Sequence, residues 1–219
     1  MLSQTEENYL KSIYHLEASQ TKSVSTTLIS KSLNTKASSV TDMLGKLADK
    51  KLVNYKKYKG VNLTSKGKNI AVKIIRKHRL WEVFLVEKLN FNWDEVHEIA
   101  EQLEHIKSDE LIEKLDTFLN FPTKDPHGDP IPDAKGNIRN KKSILLSNAK
   151  KNVLYTISCV KDNSKALLQF LDKHALTIES ELTVVDKLDF DESITAKLSN
   201  GNTLTLSNKI CTNVFVTIK

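Results

Sequence analysis

Apolar positions recur every three to four residues over residues 6–16, where Tyr9, Leu10, Ile13, Tyr14 and Leu16 fall on one face, and this spacing predicts an amphipathic helix. A polar stretch at 18–23 follows. Residues 25–33 predict a compact helix, and after the turn Asn34-Thr35-Lys36 a second helix opens at Ala37-Ser38-Ser39 and runs through Val40, Met43, Leu44 and Leu47. Two short helices joined by a tight turn, the second opening on small polar residues, fit a helix-turn-helix; an ordinary antiparallel helix pair gives the same pattern. The periodicity then changes. Over residues 52–64, β-formers flank a Lys-rich turn ending in Gly60, which predicts a hairpin wing. Thr64 and Ser65 cap a long helix over residues 66–88, with Ile70, Ile74, Ile75, Leu80 and Phe84 as its apolar stripe. After a turn at 90–93, Asp94 is the expected cap of another helix, and a Pro-rich connection at 121–132 leads through a polar spacer to about residue 142. Short β-like runs at 153–158, 182–185, 194–198, 203–206 and 214–218, with one helix near 164–173, predict a small barrel.

Composition adds limits to this outline. With 219 residues, 39% of them apolar, the chain can bury the cores of two modest domains, or of one domain with a smaller appendage. No apolar run reaches 18 residues, and the start MLSQTEENYL is polar and acidic where a secretory signal is basic and then apolar. The expectation is a cytoplasmic protein with no membrane segment. Cys159 and Cys211 belong to no CxxC pair and read as small buried apolar residues.

The net charge of +6 is distributed unevenly. Residues 1–79 hold 16 Lys/Arg against 5 Asp/Glu, whereas residues 80–121 hold 3 Lys against 11 Asp/Glu. The basic block suits a polyanion, because cations gain affinity for phosphate through counterion release. Lys56, Lys57 and Lys59 on the wing, with Lys36 and Lys46 at the second helix, are the candidate backbone contacts; Ser38, Ser39 and Thr41 are small enough to approach base edges.

The acidic block needs another explanation. His78 and Glu82 are four apart on the long helix, and the next helix carries His97, Glu101, Glu104 and His105, which at about 100° per residue fall within roughly 100° of arc. Glu101, Glu104 and His105 point one way, and His78, Glu82 and His97 form a second set across a helix pair. Imidazole and carboxylate without thiolate is the ligand set of Mn, Fe, Co, Ni or Zn. His15, His127 and His174 have no such company and receive no role. A metalloenzyme could use the same ligands, but it would need an open coordination position and a separate general base, which nothing else in the chain supplies. A metal-independent regulator that senses a small molecule is the nearer rival.

The strings Tyr9-Leu10-Lys11-Ser12-Ile13-Tyr14, Ser38-Ser39-Val40-Thr41, Leu63-Thr64-Ser65-Lys66-Gly67, Arg76-Lys77-His78-Arg79-Leu80-Trp81-Glu82, Glu95-Val96-His97-Glu98-Ile99-Ala100-Glu101-Gln102-Leu103-Glu104-His105 and Pro126-His127-Gly128-Asp129-Pro130-Ile131-Pro132 together resemble the diphtheria-toxin-repressor family of iron- and manganese-dependent regulators. The resemblance covers about residues 5–133. It implies an α+β chain: a winged helix-turn-helix over 1–65, a helical dimerisation and metal-binding domain over 66–142, and an SH3-like, FeoA-type domain over 143–219. It further implies a homodimeric repressor, not an enzyme, that binds a palindromic operator and controls metal-ion homeostasis genes. On the same resemblance, Asn8, Glu101, Glu104 and His105 make the primary metal site. His78, Glu82, His97 and Asp162 make the secondary one. Glu101 stands where iron-type members carry a cysteine, which favours Mn(II), with Fe(II) second and Zn(II), Co(II) or Ni(II) able to bind in vitro. Asn8 replaces a carboxylate common in manganese-type members, and Lys11 replaces a second acid found in some of them.

Overall fold

The computed structural model describes residues 2–18, 23–138, 142–161 and 164–219. Helix α1 (Gln4–Ala18) starts in a reciprocal cap: the Ser3 amide donates to Glu6 Oε2 at 3.0 Å and the Glu6 amide donates to Ser3 Oγ at 3.2 Å. Glu6 also takes the Lys50 ammonium at 2.6 Å, and that bond holds its carboxyl below the usual range although burial opposes it. Helices α2 (Thr26–Ser32) and α3 (Ala37–Asp49) follow, with Asn34 at φ 46° in the turn between them. Strands β1 (Val53–Lys56) and β2 (Gly60–Leu63) pair antiparallel as the wing, and Val24 bridges Val61 on its other side. Leu10, Ile13, Ile29, Val40, Leu44, Leu47, Val53 and Val61 close one core among these elements. The amide of Leu63 donates to Glu17 Oε1 at 2.7 Å, so α1 also satisfies the wing's backbone.

The chain then enters α4 (Ser65–Leu89), whose Gly67 amide donates to Thr64 Oγ1 at 3.1 Å, as the Thr64 cap requires. The next helix is shorter than its pattern suggests. Residues 92–95 close a turn, with the Glu95 amide on the Asn92 carbonyl and the Asn92 amide on Glu95 Oε2, so α5 begins only at His97 and ends at Leu103. Asp94 is no cap; its carboxylate accepts from Gln169 Nε2 at 2.9 Å. Glu104 and His105 therefore lie in the turn after α5, not on its face. A further helix, α6 (Asp109–Phe118), buries Ile112 and Leu115.

The C-terminal part is a six-stranded antiparallel sheet in the order β3-β8-β4-β5-β6-β7, formed by β3 (Ile144–Leu145), β4 (Leu154–Val160), β5 (Glu181–Lys187), β6 (Ile194–Leu198), β7 (Thr203–Leu206) and β8 (Val214–Ile218). Register shifts at Ile157/Cys159 and Val184/Asp186 increase its local bend. Its inner face packs against α7 (Lys165–Lys173) and α8 (Asn208–Cys211) through Leu168, Leu171 and Cys211. Both cysteines are free thiols, and burial pushes Cys211 up to about 11. By compactness the chain divides into one unit of residues 1–78, 102–109 and 132–137 and another of 79–101, 110–131 and 138–219. No helix among the described residues is long and apolar enough to cross a membrane.

Gly67 marks where α4 meets the backbone before the wing. A Cβ there would lie 2.0 Å from the Leu52 carbonyl oxygen, a rigid backbone atom. Gly67→Ala should therefore destabilise the N-terminal unit by about 1–3 kcal/mol or more in urea denaturation, although alanine is the better helix former. An unchanged midpoint would mean that this approach is not held in solution.

Candidate functional site

The surface expected to meet a polyanion is open to solvent. Lys36, Ser38, Ser39, Thr41 and Lys46 on and before α3, and Lys56, Lys57 and Lys59 on the wing, are all exposed. Tyr58 at the wing tip is 93% exposed, at φ 66°, with the Lys57 ammonium 5.3 Å from its ring centroid. Thr41 donates its hydroxyl to the Ala37 carbonyl, which leaves its oxygen as an acceptor on the exposed face.

Glu104 is fully buried, and three residues meet it or its neighbour from the same compact unit. The Lys11 ammonium donates to both carboxylate oxygens, at 2.6 and 2.8 Å, and His78 Nδ1 lies 2.7 Å from Oε2. His105 Nδ1 lies 2.6 Å from Glu7 Oε2, which turns its Nε2 to within 3.8 Å of Glu104 Oε1. The Lys107 ammonium donates to the Leu2 carbonyl at 2.9 Å. Helix α1 thus grips the turn after α5 through Glu7 and Lys11, and the backbone of Leu2 just before the helix adds a third tie. Asn8 sits between Glu7 and Lys11 in sequence, and its Oδ1 is buried with no hydrogen-bond partner among the described residues. A neutral oxygen kept from water without a donor is costly unless something electropositive completes it. That orphaned oxygen, the buried Glu104 carboxylate and the His105 imidazole fit a divalent cation.

A second cluster lies in the other unit. Glu82, Asp125 and His127, all buried, each offer a donor atom, and these atoms lie within 4.8 Å of one another. His127 Nε2 is 2.8 Å from the Trp93 carbonyl, an acceptor only, so that nitrogen carries the proton. Its Nδ1 stands 3.6 Å from Glu82 Oε2, too far for a hydrogen bond, and the atom is buried without a hydrogen-bond partner. Trp93 stacks on the ring with centroids 5.9 Å apart. Asp125 Oδ1 accepts from the amides of His127 and Asp129 at 2.9 and 3.0 Å. Arg79 Nε stands 3.4 Å from Asp125 Oδ2. Burial first, then the charges of Glu82 and Asp129, push the Asp125 carboxyl up to about 7 against the pull of Arg79 and His127. Such a site is short of positive charge.

The sequence-derived residues are distributed over these two places in part. Asn8, Glu104 and His105 share the first unit, where His78 binds Glu104. Glu101, on α5, has an oxygen 3.7 Å from His97 Nε2, and His97 Nδ1 is 3.4 Å from Glu82 Oε1. Asp162 lies outside the described residues. Glu7, Asp125 and His127 were not singled out by pattern. Their signals were the four-residue spacing of Glu7 and Lys11 on α1, and an Asp-Pro-His-Gly-Asp loop in which proline and glycine fix the backbone that aims two ligands.

Comparison with known proteins adds three sequence profiles. The N-terminal DNA binding domain of the iron dependent repressor matches residues 1–61, its metal binding and dimerisation domain matches 64–133, and the FeoA domain matches 144–218. An uncharacterized HTH-type transcriptional regulator of Methanocaldococcus jannaschii is 42% identical over 118 residues, 54% of this chain and 94% of that protein. The iron-dependent repressor IdeR of Mycobacterium tuberculosis is 34% identical over 128 residues, 58% of this chain and 55% of that one. A solved manganese-dependent transcriptional repressor in complex with manganese superposes with TM-score 0.90 at 31% identity, covering 98% of this chain and 100% of the other.

The second cluster yields a stability test on metal-free protein. Asp125→Asn keeps an oxygen for the two loop amides and removes a charge that burial disfavours, so it should change unfolding free energy at pH 7 by less than about 1 kcal/mol. Asp125→Ala leaves both amides without their acceptor and should cost about 1–3 kcal/mol in urea denaturation. Equal costs for the two would contradict this reading of the loop.

Proposed function

Because the chain belongs to the iron dependent repressor family of metal-dependent transcriptional regulators, we propose that it is a Mn(II)-responsive repressor that binds a palindromic operator as a homodimer and controls metal-ion homeostasis genes in the cytoplasm. In this reading residues 1–65 read DNA, residues 66–142 dimerise and hold metal, and residues 143–219 form the appended FeoA-type domain. The observation that carries the proposal is the grip of α1 on Glu104 and His105: the helix that shares a core with the DNA-reading pair also touches the candidate ligands.

One cation would be held by Asn8, Glu104 and His105, with Glu101 as the further acid implied by resemblance. A second would be held by Glu82, Asp125 and His127, with His97 beside Glu82 and Asp162 as the acid implied by resemblance. A bound divalent ion supplies positive charge shared among buried oxygens and imidazole nitrogens. Everything else is done by the chain. Asn8 brings α1 to the ion, Glu104 and His105 bring the turn after α5, and the arrangement in which all reach together is favoured by its extra affinity for the ion. The DNA-reading pair α2–α3 and the wing follow α1 through their common core. Lys36, Lys46, Lys56, Lys57 and Lys59 would meet phosphates, while Ser38, Ser39 and Thr41 approach base edges.

The donor set favours a hard ion. Carboxylate and amide oxygens with imidazole nitrogens and no thiolate suit Mn(II), with Fe(II) as the second candidate; Zn(II), Co(II) and Ni(II) can bind more tightly without giving the same arrangement. Selection would then rest on coordination geometry and not on raw affinity.

Operator binding, measured on a duplex selected from a random pool in Mn(II), should weaken by roughly 5- to 150-fold when a chelator removes the metal. Glu104→Ala should lose the Mn(II) response and keep the dimer. Tight operator binding that neither chelator nor this substitution weakens would overturn the proposal.

A further inference from the structure

Glu7 lies on α1 one residue before Asn8, and no ligand set considered above includes it. Its Oε2 is 2.6 Å from His105 Nδ1, and the two side chains are largely hidden from solvent. A carboxylate accepts and does not donate, so the proton of this bond sits on Nδ1. The lone pair of His105 is thereby assigned to Nε2. That nitrogen lies 3.8 Å from Glu104 Oε1. His105 through Nε2 and Glu104 through its carboxylate would then hold one divalent ion together. With the opposite tautomer, the lone pair of His105 would point at Glu7 and away from Glu104.

We infer that Glu7 is a positioning residue for metal binding: it fixes the tautomer and ring orientation of His105 so that Nε2 faces Glu104. This inference rests on the metal reading proposed above. Glu7 touches no ion; it acts through His105, and because it belongs to α1 it also makes the orientation of that ligand depend on α1 being seated. An unseated α1 leaves His105 without its orienting acceptor. A neutral acceptor makes a weaker bond to the Nδ1–H than a charged one, so it should do the same task less well.

Three side-chain replacements separate the possibilities. Nitrogen-detected NMR of the His105 ring in metal-free protein should show the Nδ1–H form, and Glu7→Ala should abolish that preference. Mn(II) affinity by equilibrium dialysis should fall about 10- to 100-fold in Glu7→Ala. Glu7→Gln, which retains an oxygen acceptor and guards against a folding defect, should fall by less. In a His105→Ala background the further change Glu7→Ala should have no effect on Mn(II) affinity, because a residue that acts only through His105 has nothing left to act on. A Glu7→Ala protein with unchanged tautomer and unchanged Mn(II) affinity would overturn the inference, and so would an undiminished effect in the His105→Ala background. The metal reading fails separately. It falls if His105→Ala itself binds Mn(II) like the unmodified protein, whatever Glu7 does.

Discussion

A carboxylate with no access to water is stable only if other groups supply what water supplied, and Glu104 is such a carboxylate. The protein meets that demand with an ammonium on both oxygens and an imidazole on one. The ammonium comes from Lys11 on α1, so the cost of burying one charge is recovered by ordering the N-terminal helix against a turn some ninety residues later in the chain. Removing one partner from a buried pair of this kind typically costs about 3–5 kcal/mol, since it leaves a charge unpaired. The position of α1 is therefore tied to the electrostatics of Glu104. Because α1 also carries Leu10 and Ile13 of the core shared with α2, α3 and the wing, the same constraint reaches the DNA-reading surface.

Lys11 changes the chemistry of this site. Where some manganese-type relatives are expected to have an acid, this chain has a resident cation, and Asn8 adds an oxygen without charge. The site is less negative than an all-carboxylate one. Under the proposed reading, a divalent ion would be attracted there by Glu104 and the imidazole of His105, helped by the unsatisfied Asn8 oxygen. The second cluster has the opposite character. Glu82 of α4 meets Asp125 and Asp129 of the loop, Arg79 is the cation at 3.4 and 3.5 Å from the two aspartates, and burial together with the charges of Glu82 and Asp129 pushes the Asp125 carboxyl up to about 7. The loop is held by its backbone. Gly128 at φ 88° would place a Cβ 2.1 Å from the Ser158 carbonyl oxygen, so no other residue fits between His127 and Asp129 without a shift.

Much of the architecture was legible in periodicity. The helix pair, the wing, the long α4 and five of the six C-terminal strands follow from local spacing, because each buries one face and its own apolar repeat marks that face, whatever covers it. What escaped was decided by contacts between distant residues. The start of α5 moved from Asp94 to His97 because residues 92–95 turn on themselves and Gln169 claims the Asp94 carboxylate. Glu104 and His105, which helical spacing would set on one arc with His97, are instead delivered by the turn in which α5 ends. Glu7 offered only its four-residue spacing to Lys11, which on a helix reads first as a surface ion pair, while its true partner His105 arrives from far along the chain. His127 was set aside for want of neighbours in sequence, yet its partners Glu82 and Trp93 are 45 and 34 positions away and arrive by folding.

The central claim is that cation binding and operator binding favour the same seating of α1, and thermodynamic reciprocity gives it a direct measurement. Mn(II) affinity should be determined by equilibrium dialysis with and without saturating operator duplex. If the two events share one arrangement, the operator raises Mn(II) affinity by the same factor by which Mn(II) raises operator affinity, on the order of 5- to 150-fold. Mn(II) affinity that is identical in the presence and absence of the operator would contradict it.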